Sequence, residues 1–220
     1  MINVPSISII LCAHIPSMDY VNLLKRSILS LEAQTLQNFE LILVLDECIP
    51  ESICPIKEYT DILPFPVHVY ERDKKCGHGA AINYGIERAN CDLICLLDAD
   101  DEYTKTKIET QYKWMLDHPQ TDFCFTGCYE RVGDRVFPGY YGVDEYLTHP
   151  QIYKALPVEC IVTSSTVMFR RASLDSIGGF LEMNICSDYH TYLKARDAGL
   201  RFAKIAEFLY IYTMDTSVSK

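Results

Sequence analysis

The chain of 220 residues is short of positive charge: 20 lysines and arginines stand against 30 aspartates and glutamates, for a formal net charge of −10. That balance argues against a general affinity for nucleic acid or an anionic membrane surface. A phosphorylated ligand would have to be met by local cations or by a metal ion. Long hydrophobic runs are missing as well. The apolar stretch Ile7 to Cys12 is too short for a signal-peptide core or a membrane span, and no basic segment precedes it. A cytoplasmic protein is expected, with its ten cysteines reduced. None of them forms a C-x-x-C pair. Cys91 with Cys95, and Cys124 with Cys128, are spaced to share a strand face as small core residues rather than as zinc ligands. Glycine, lysine and arginine are all absent from the segment Cys12 to Met18. This excludes the glycine-rich basic loop that a sugar-nucleotide-forming nucleotidyltransferase would place after its first strand.

What is present is an ordinary globular composition, 49% hydrophobic and 23% charged, with no linker-like stretch and no internal repeat. One domain over residues 1–220 is expected. Near-continuous apolar strands (Ser6 to Ala13, Phe39 to Leu45, Val67 to Tyr70, Leu93 to Leu97) alternate with helical spacing over Asp19 to Gln34, Pro50 to Thr60 and Gly79 to Ala89. That pattern predicts a nucleotide-binding type of α/β unit, its mostly parallel central sheet covered by helices on both faces. The rhythm then changes. A helix over Lys105 to Asp117 leads to a small antiparallel excursion, Phe123 to Tyr129 and Arg135 to Pro138, and to a glycine- and tyrosine-rich loop over Pro138 to Tyr146. A strand over Thr163 to Phe169, helices over Arg171 to Ile177 and Asp188 to Ala198, and a last strand over Phe202 to Tyr212 follow.

Chemistry concentrates where the fourth strand ends. Asp98-Ala99-Asp100-Asp101 sets three carboxylates directly behind the apolar run, at the carboxyl edge where open α/β sheets bind ligands. Carboxylates so close repel one another unless a hard cation sits among them, although an Asp-rich turn or helix cap reads the same way in isolation. Asp46-Glu47 closes the second strand and can accept a hydrogen bond from a pyrimidine imide, or act as a loop acid. Lys74-Lys75-Cys76-Gly77-His78-Gly79 is a basic, glycine-containing helix entry that suits phosphate or a plain solvated turn. Ser187-Asp188 opens the late helix, where either residue serves equally as an N-cap. His78, His118 and His149 lack ligand-like spacing and read as surface or capping groups. Trp114, Tyr140 and Tyr141 are weak candidates for stacking on sugar rings.

Taken in order, these pieces resemble the family 2 glycosyltransferases of the GT-A fold over nearly the whole chain. The resemblance rests on Ile7 to Cys12, on Ser27 to Thr35 followed by Phe39 to Val44, on Gly77 through Asn83-Tyr84-Gly85-Ile86, on Asp98-Ala99-Asp100-Asp101, and on Met168 to Arg171 with Ile177 to Phe180. It implies a GT-A, Rossmann-like domain with a nucleotide-binding half of about residues 1–101 and an acceptor-binding half of about 102–220. It further implies an inverting transfer from a nucleotide-diphosphate sugar, a UDP-sugar by preference, to a glycan or lipid-linked saccharide hydroxyl, with Mn²⁺ or Mg²⁺. Asp188 becomes the catalytic base. Asp100 becomes the metal ligand, with Asp98 near the ribose or a metal-bound water, and Asp101 and Asp215 as further candidates. Cys12, His14, Asp46, Lys75, Gly77 and Asn83 become donor-binding positions, and His190 an acceptor contact. The implied setting is cell-surface polysaccharide synthesis, with peripheral contact at the inner membrane face. Leu45, Ile82 and Ser187 depart from the family pattern, as does the absence of a C-terminal Y-R-x-H. A non-catalytic sugar-nucleotide-binding or degenerate partner subunit is therefore the alternative from another class.

Overall fold

A computed structural model describes residues 5–73, 77–139, 147–183 and 186–214. Strand and helix alternate as the apolar periodicity requires: β1 (Ile7–Ala13), α1 (Asp19–Glu32), β2 (Phe39–Asp46), α2 (Pro50–Thr60), β3 (Val67–Arg72), α3 (His78–Ile86) and β4 (Leu93–Asp98). Then come β5 (Glu102–Tyr103), α4 (Lys107–Asp117), the hairpin β6 (Phe123–Val132) and β7 (Arg135–Pro138), α5 (His149–Ala155), β8 (Met168–Arg170), α6 (Arg171–Ser176), α7 (Ser187–Asp197) and β9 (Phe202–Thr213). One mixed sheet joins them in the order β3-β2-β1-β4-β8-β6-β9-β5, with β7 on β6. The first four strands are parallel, and β6 and β9 run the same way because β8 lies antiparallel to both β4 and β6.

Every residue of β2 is buried, and so is nearly every residue of β1 and β4. The period-two geometry of a strand sends alternate side chains to two separate cores. Ile7, Ile9 and Leu11 pack with Leu24, Ile28 and Leu31 of α1 and with Ile108 and Met115 of α4. Ile10, Ile42 and Val44 pack on the other face with Ala81, Ile82 and Ile86 of α3 and with Tyr192 and Ala195 of α7. The paired cysteines are core residues: Cys91, Cys95, Cys124 and Cys128 are all buried and reduced. Among the described residues no helix is long and apolar enough to cross a membrane.

One expected strand is different. Residues 163–169 begin as a 3₁₀ turn, Ser164–Thr166, and only then enter β8. The cause is the run of hydroxyls. Thr166 donates both its backbone N–H and its side-chain O–H to the carbonyl of Thr163, at 3.0 and 2.7 Å, and this local back-bonding competes with extended pairing.

Candidate active site

The carboxyl ends of β1 and β4 open onto a cavity of about 570 Å³ lined by Cys12, His14, Tyr20, His78, Asp98 and Asp100, among others. A second cavity of about 400 Å³ lies on the far side of Asp98, lined by Glu130, Cys160, Thr163, Asp188, Tyr212 and others. Asp98 lines both.

The loop that carries the aspartates is braced from both halves of the chain. From α1, Ser27 donates to the Asp98 carbonyl at 2.9 Å and Arg26 to the Asp100 carbonyl at 2.6 Å. Gln34 donates to the carbonyls of Ser30 and Thr104 and accepts the Ile108 N–H. The Ser-x-x-x-Gln-Thr spacing is thus the strut that sets where the loop leaves and where α4 begins. From the later half, Ser165 donates to Asp98 Oδ2 at 2.6 Å. Asp101 is almost fully buried, its carboxylate accepting the Tyr210 hydroxyl and, at 2.6 Å, the Thr213 N–H. Burial, with Asp98 and Asp100 alongside, pushes its carboxyl up to about 8.

Asp100 is the carboxylate free to face the cavity. Burial and then the charge of Asp98 hold its carboxyl above the usual range, a strain that a bound cation relieves. Oxygen donors suit Mg²⁺ or Mn²⁺. Among the described residues no third acid, histidine or cysteine closes a metal cage.

On the base side, Asp46 is buried 3.7 Å from Arg72, and its carbonyl meets Nδ1 of His14 at 3.0 Å. Cys12 is partly buried at the cavity wall, and desolvation with Asp98 and Asp46 nearby pushes its thiol well above the ordinary value, so it stays neutral. At the other cavity α7 presents Asp188, half-buried, one position after the buried Ser187. Among the described residues the two non-glycine positions with positive φ are Glu47 and Cys186, both at 54°. Each adjoins a site segment, where unfavourable backbone commonly collects.

The structure places Cys12, His14, Asp98 and Asp100 in the first cavity and Asp188 with Asp98 in the second, with the Asp46 carbonyl bonded to His14. Several expectations change. Asn83 does not face the cavity: its side chain donates to the Phe180 carbonyl at 2.9 Å and accepts the Phe180 N–H at 2.8 Å, clamping the turn before α7. Both ends of its amide are used, so it is a structural tie rather than a donor-binding group. Asp101 is likewise committed to β9 and is not available to a metal. His190 is exposed and its Nδ1 bonds to the Cys186 carbonyl of its own helix start; it lines neither cavity. Trp114 stacks on His118, centroids 3.9 Å apart, near the start of β9 and away from the aspartates. His78, expected as a surface or capping group, is exposed at the first residue of α3, and it also lines the cavity with Nε2 3.8 Å from Asp98 Oδ1. Gly77 turns the chain into α3 with φ of 90°, a backbone state that favours glycine. Lys75, Tyr140, Tyr141 and Asp215 lie outside the described residues.

Ser165 and Tyr212 were not anticipated. Four consecutive hydroxyl residues, Thr163 to Thr166, directly before an apolar strand were the available signal for the first. The alternating aromatics of Tyr210 and Tyr212 were a weaker signal for the second.

Comparison with known proteins agrees with this geometry. The profile described as Glycosyl transferase family 2 matches residues 9–178. The glycosyltransferase YwdF of Bacillus subtilis is 31% identical over 84% of this chain and 67% of its own length. The amylovoran biosynthesis glycosyltransferase AmsE of Erwinia amylovora is 24% identical over 84% of this chain and 68% of its own. Among solved structures, S. aureus TarS 1-349 in complex with UDP-GlcNAc superposes with a TM-score of 0.77 at 19% identity, over 98% of this chain and 61% of that one. The mannosyltransferase PcManGT of Pyrobaculum calidifontis, in complex with GDP-Man and Mn²⁺, gives 0.73 at 15% identity, over 98% and 59%. This chain thus spans about two thirds of the length of those relatives and about three fifths of the solved chains. With the profile covering most of its length and the sheet matching theirs, the chain belongs to glycosyl transferase family 2 and has the GT-A fold.

Proposed function

We propose that the protein is an inverting, metal-dependent glycosyltransferase that moves a sugar from a nucleotide diphosphate, UDP by preference, to a hydroxyl of a glycan or lipid-linked saccharide. The observation that carries this reading is that Asp98 lines both cavities, one with β1 residues and Asp100, the other with Asp188. A donor in the first and an acceptor in the second would meet at that carboxylate.

The step divides among the chain's own residues. Cys12 and His14 bound the base pocket, with the Asp46 carbonyl fixing His14 from behind. Asp188 takes the proton of the acceptor hydroxyl as its oxygen attacks the anomeric carbon. The bond from that carbon to phosphate breaks on the opposite face, and the diphosphate leaves with the electron pair. A single base and in-line displacement invert the anomeric centre. Tyr212, 43% exposed at the rim of the second cavity, offers a ring face to an acceptor sugar. A bound Mn²⁺ or Mg²⁺ held by Asp100 would neutralise the charge that develops on the leaving diphosphate. Relatives named for amylovoran synthesis support a polysaccharide acceptor, and such an acceptor would be met at the inner membrane face.

Titration calorimetry with UDP, with and without Mn²⁺, tests the donor side. UDP binding that Mn²⁺ strengthens, with that strengthening lost in Asp100→Ala, is expected; no nucleoside diphosphate binding under any condition refutes it. Asp188→Asn tests the chemistry: nucleotide binding should survive while turnover falls roughly 10²–10⁴-fold, the span of general-base catalysis. Turnover unchanged by Asp188→Asn removes the base assignment. Binding without transfer by the wild type to any sugar acceptor favours a partner subunit instead.

A further inference from the structure

A diphosphate brings negative charge into a cavity that already holds Asp98 and Asp100, and the described lining offers few groups to receive it. Cys12 stays neutral. His14 has Nδ1 engaged with the Asp46 carbonyl. Arg26, the nearest arginine on α1, is committed elsewhere: Nη2 donates to the Asp100 carbonyl and the Thr213 hydroxyl, and Nε pairs with Glu102 at 2.7 Å. His78 remains. Its side chain is 45% exposed, with Nε2 turned toward Asp98, and it begins α3, where backbone N–H groups also point outward.

The backbone of His78 is held on both sides. Gly77 makes the entry turn with positive φ. A Cβ on Gly79 would stand 2.2 Å from the Leu181 carbonyl oxygen and 3.2 Å from the Ser187 Cβ, so α3 is pressed directly onto the segment that leads into α7. That contact fixes His78 against the same helix start that carries Asp188. One turn further along the same face of α3 is Ile82, buried in the core. At these two positions this face presents polar chemistry to the cavity only at His78.

We propose that His78 Nε2 donates a hydrogen bond to the phosphate oxygens of the bound nucleotide and so takes part in holding the leaving group. This rests on the reading of the cavity as a nucleoside-diphosphate site. The test compares His78→Ala and His78→Gln with the wild type. Calorimetry reads UDP in the presence of Mn²⁺, and ligand-observed NMR reads uridine, which lacks the phosphates. Loss of a hydrogen bond to a charged group is expected to weaken UDP binding about tenfold or more in His78→Ala. Uridine binding should be unchanged. Gln, whose terminal amide N–H reaches a similar point, should recover part of the loss, and kcat should fall along with UDP affinity. Equal UDP affinity in His78→Ala and wild type overturns the assignment. So does a parallel loss of uridine, which would mean that the helix start had moved. If the wild type binds neither UDP nor uridine, the nucleotide reading itself fails and His78 with it, an outcome distinct from both of the others.

Discussion

Gly79 is where one methyl group should separate stability from assembly of the site. In an exposed helix Gly→Ala is favourable by about 1 kcal/mol. Here the added Cβ would lie 2.2 Å from the carbonyl oxygen of Leu181, roughly 1 Å inside ordinary contact, and a backbone oxygen cannot rotate aside. Overpacking of this kind costs about 1–3 kcal/mol and occasionally more. Set against the helix gain, Gly79→Ala should lose on the order of 1–2 kcal/mol, or roughly 2–8 °C in melting temperature for a chain of this size. The displaced elements are the starts of α3 and α7, so His78 and Asp188 separate and kcat/KM falls by more than the stability loss explains. Gly85→Ala is the control in the same helix. Its Cβ would meet Ile10 Cγ2 at 2.6 Å, deep between α3 and the sheet and away from both cavities, so stability falls while kcat/KM well below the melting temperature is kept. Urea unfolding and steady-state kinetics on both variants decide it. A Gly79→Ala protein as active as wild type, or a Gly85→Ala protein equally inactive, refutes the claim that the α3–α7 contact assembles the site.

Three other perturbations have definite outcomes. Ser165→Ala removes the 2.6 Å bond to Asp98 Oδ2; loss of a buried bond to a charged acceptor, about 1.5–3 kcal/mol, should lower the melting temperature and, because Asp98 is released at the cavity, also lower kcat/KM measured well below that temperature, and unchanged kinetics would show that Asp98 needs no support from that side. Tyr210→Phe leaves Asp101 short of one buried donor, and urea unfolding should show about 1–3 kcal/mol lost. Glu40 is buried in β2, and although burial raises its carboxyl, bonds from Ser8 Oγ and from the Asn90 N–H and side chain bring it below the usual range. A lowered folded-state pKa means that its contribution is present above the unfolded value of about 4.3 and is lost as pH falls through the folded one. The stability gap between wild type and Glu40→Gln, read by denaturant titration, should therefore be widest at neutral pH and close in acid.

The strands, most of the helices and the acids at the strand ends were legible because each rests on a local signal. Apolar residues in unbroken runs announce buried parallel strands, and a cluster of aspartates behind such a run announces a carboxyl-edge site. What was hidden depends on pairing across sequence. Asn83 looks like a ligand-facing residue in a helix motif, and only the approach of the 178–180 turn, nearly a hundred positions away, shows its amide already engaged at both ends. Asp101 is chemically indistinguishable from Asp98 and Asp100 in the sequence. Its separation from them comes from Tyr210 and Thr213 closing over it. His78 carries no spacing signal that separates it from any surface histidine; its place beside Asp98 comes from α3 packing back toward the end of β4.

The proposed division into a donor half and an acceptor half is less sharp in space than along the chain. Asp98 is held at its carbonyl by Ser27 from the first half and at Oδ2 by Ser165 from the second. Asp101 accepts from β9, the last strand, and Arg26 of α1 spans the Asp100 carbonyl, Thr213 and Glu102, which Arg131 of β6 also pairs. Asp98, Asp101 and Arg26 are each buried or half-buried polar groups with at least one partner in the later part of the chain, so loosening any one leaves a polar group underbonded in a low-dielectric place. The loop that carries Asp98 and Asp100 therefore cannot shift independently of β9 and the hydroxyl turn before β8. A rigid bridge between the two cavities is what an in-line transfer needs, because the attacking hydroxyl and the leaving diphosphate must be held on opposite faces of one carbon. Loosening the bridge from the acceptor side, as Ser165→Ala does, should then damage donor positioning too, even though Ser165 belongs to neither the base pocket nor α3.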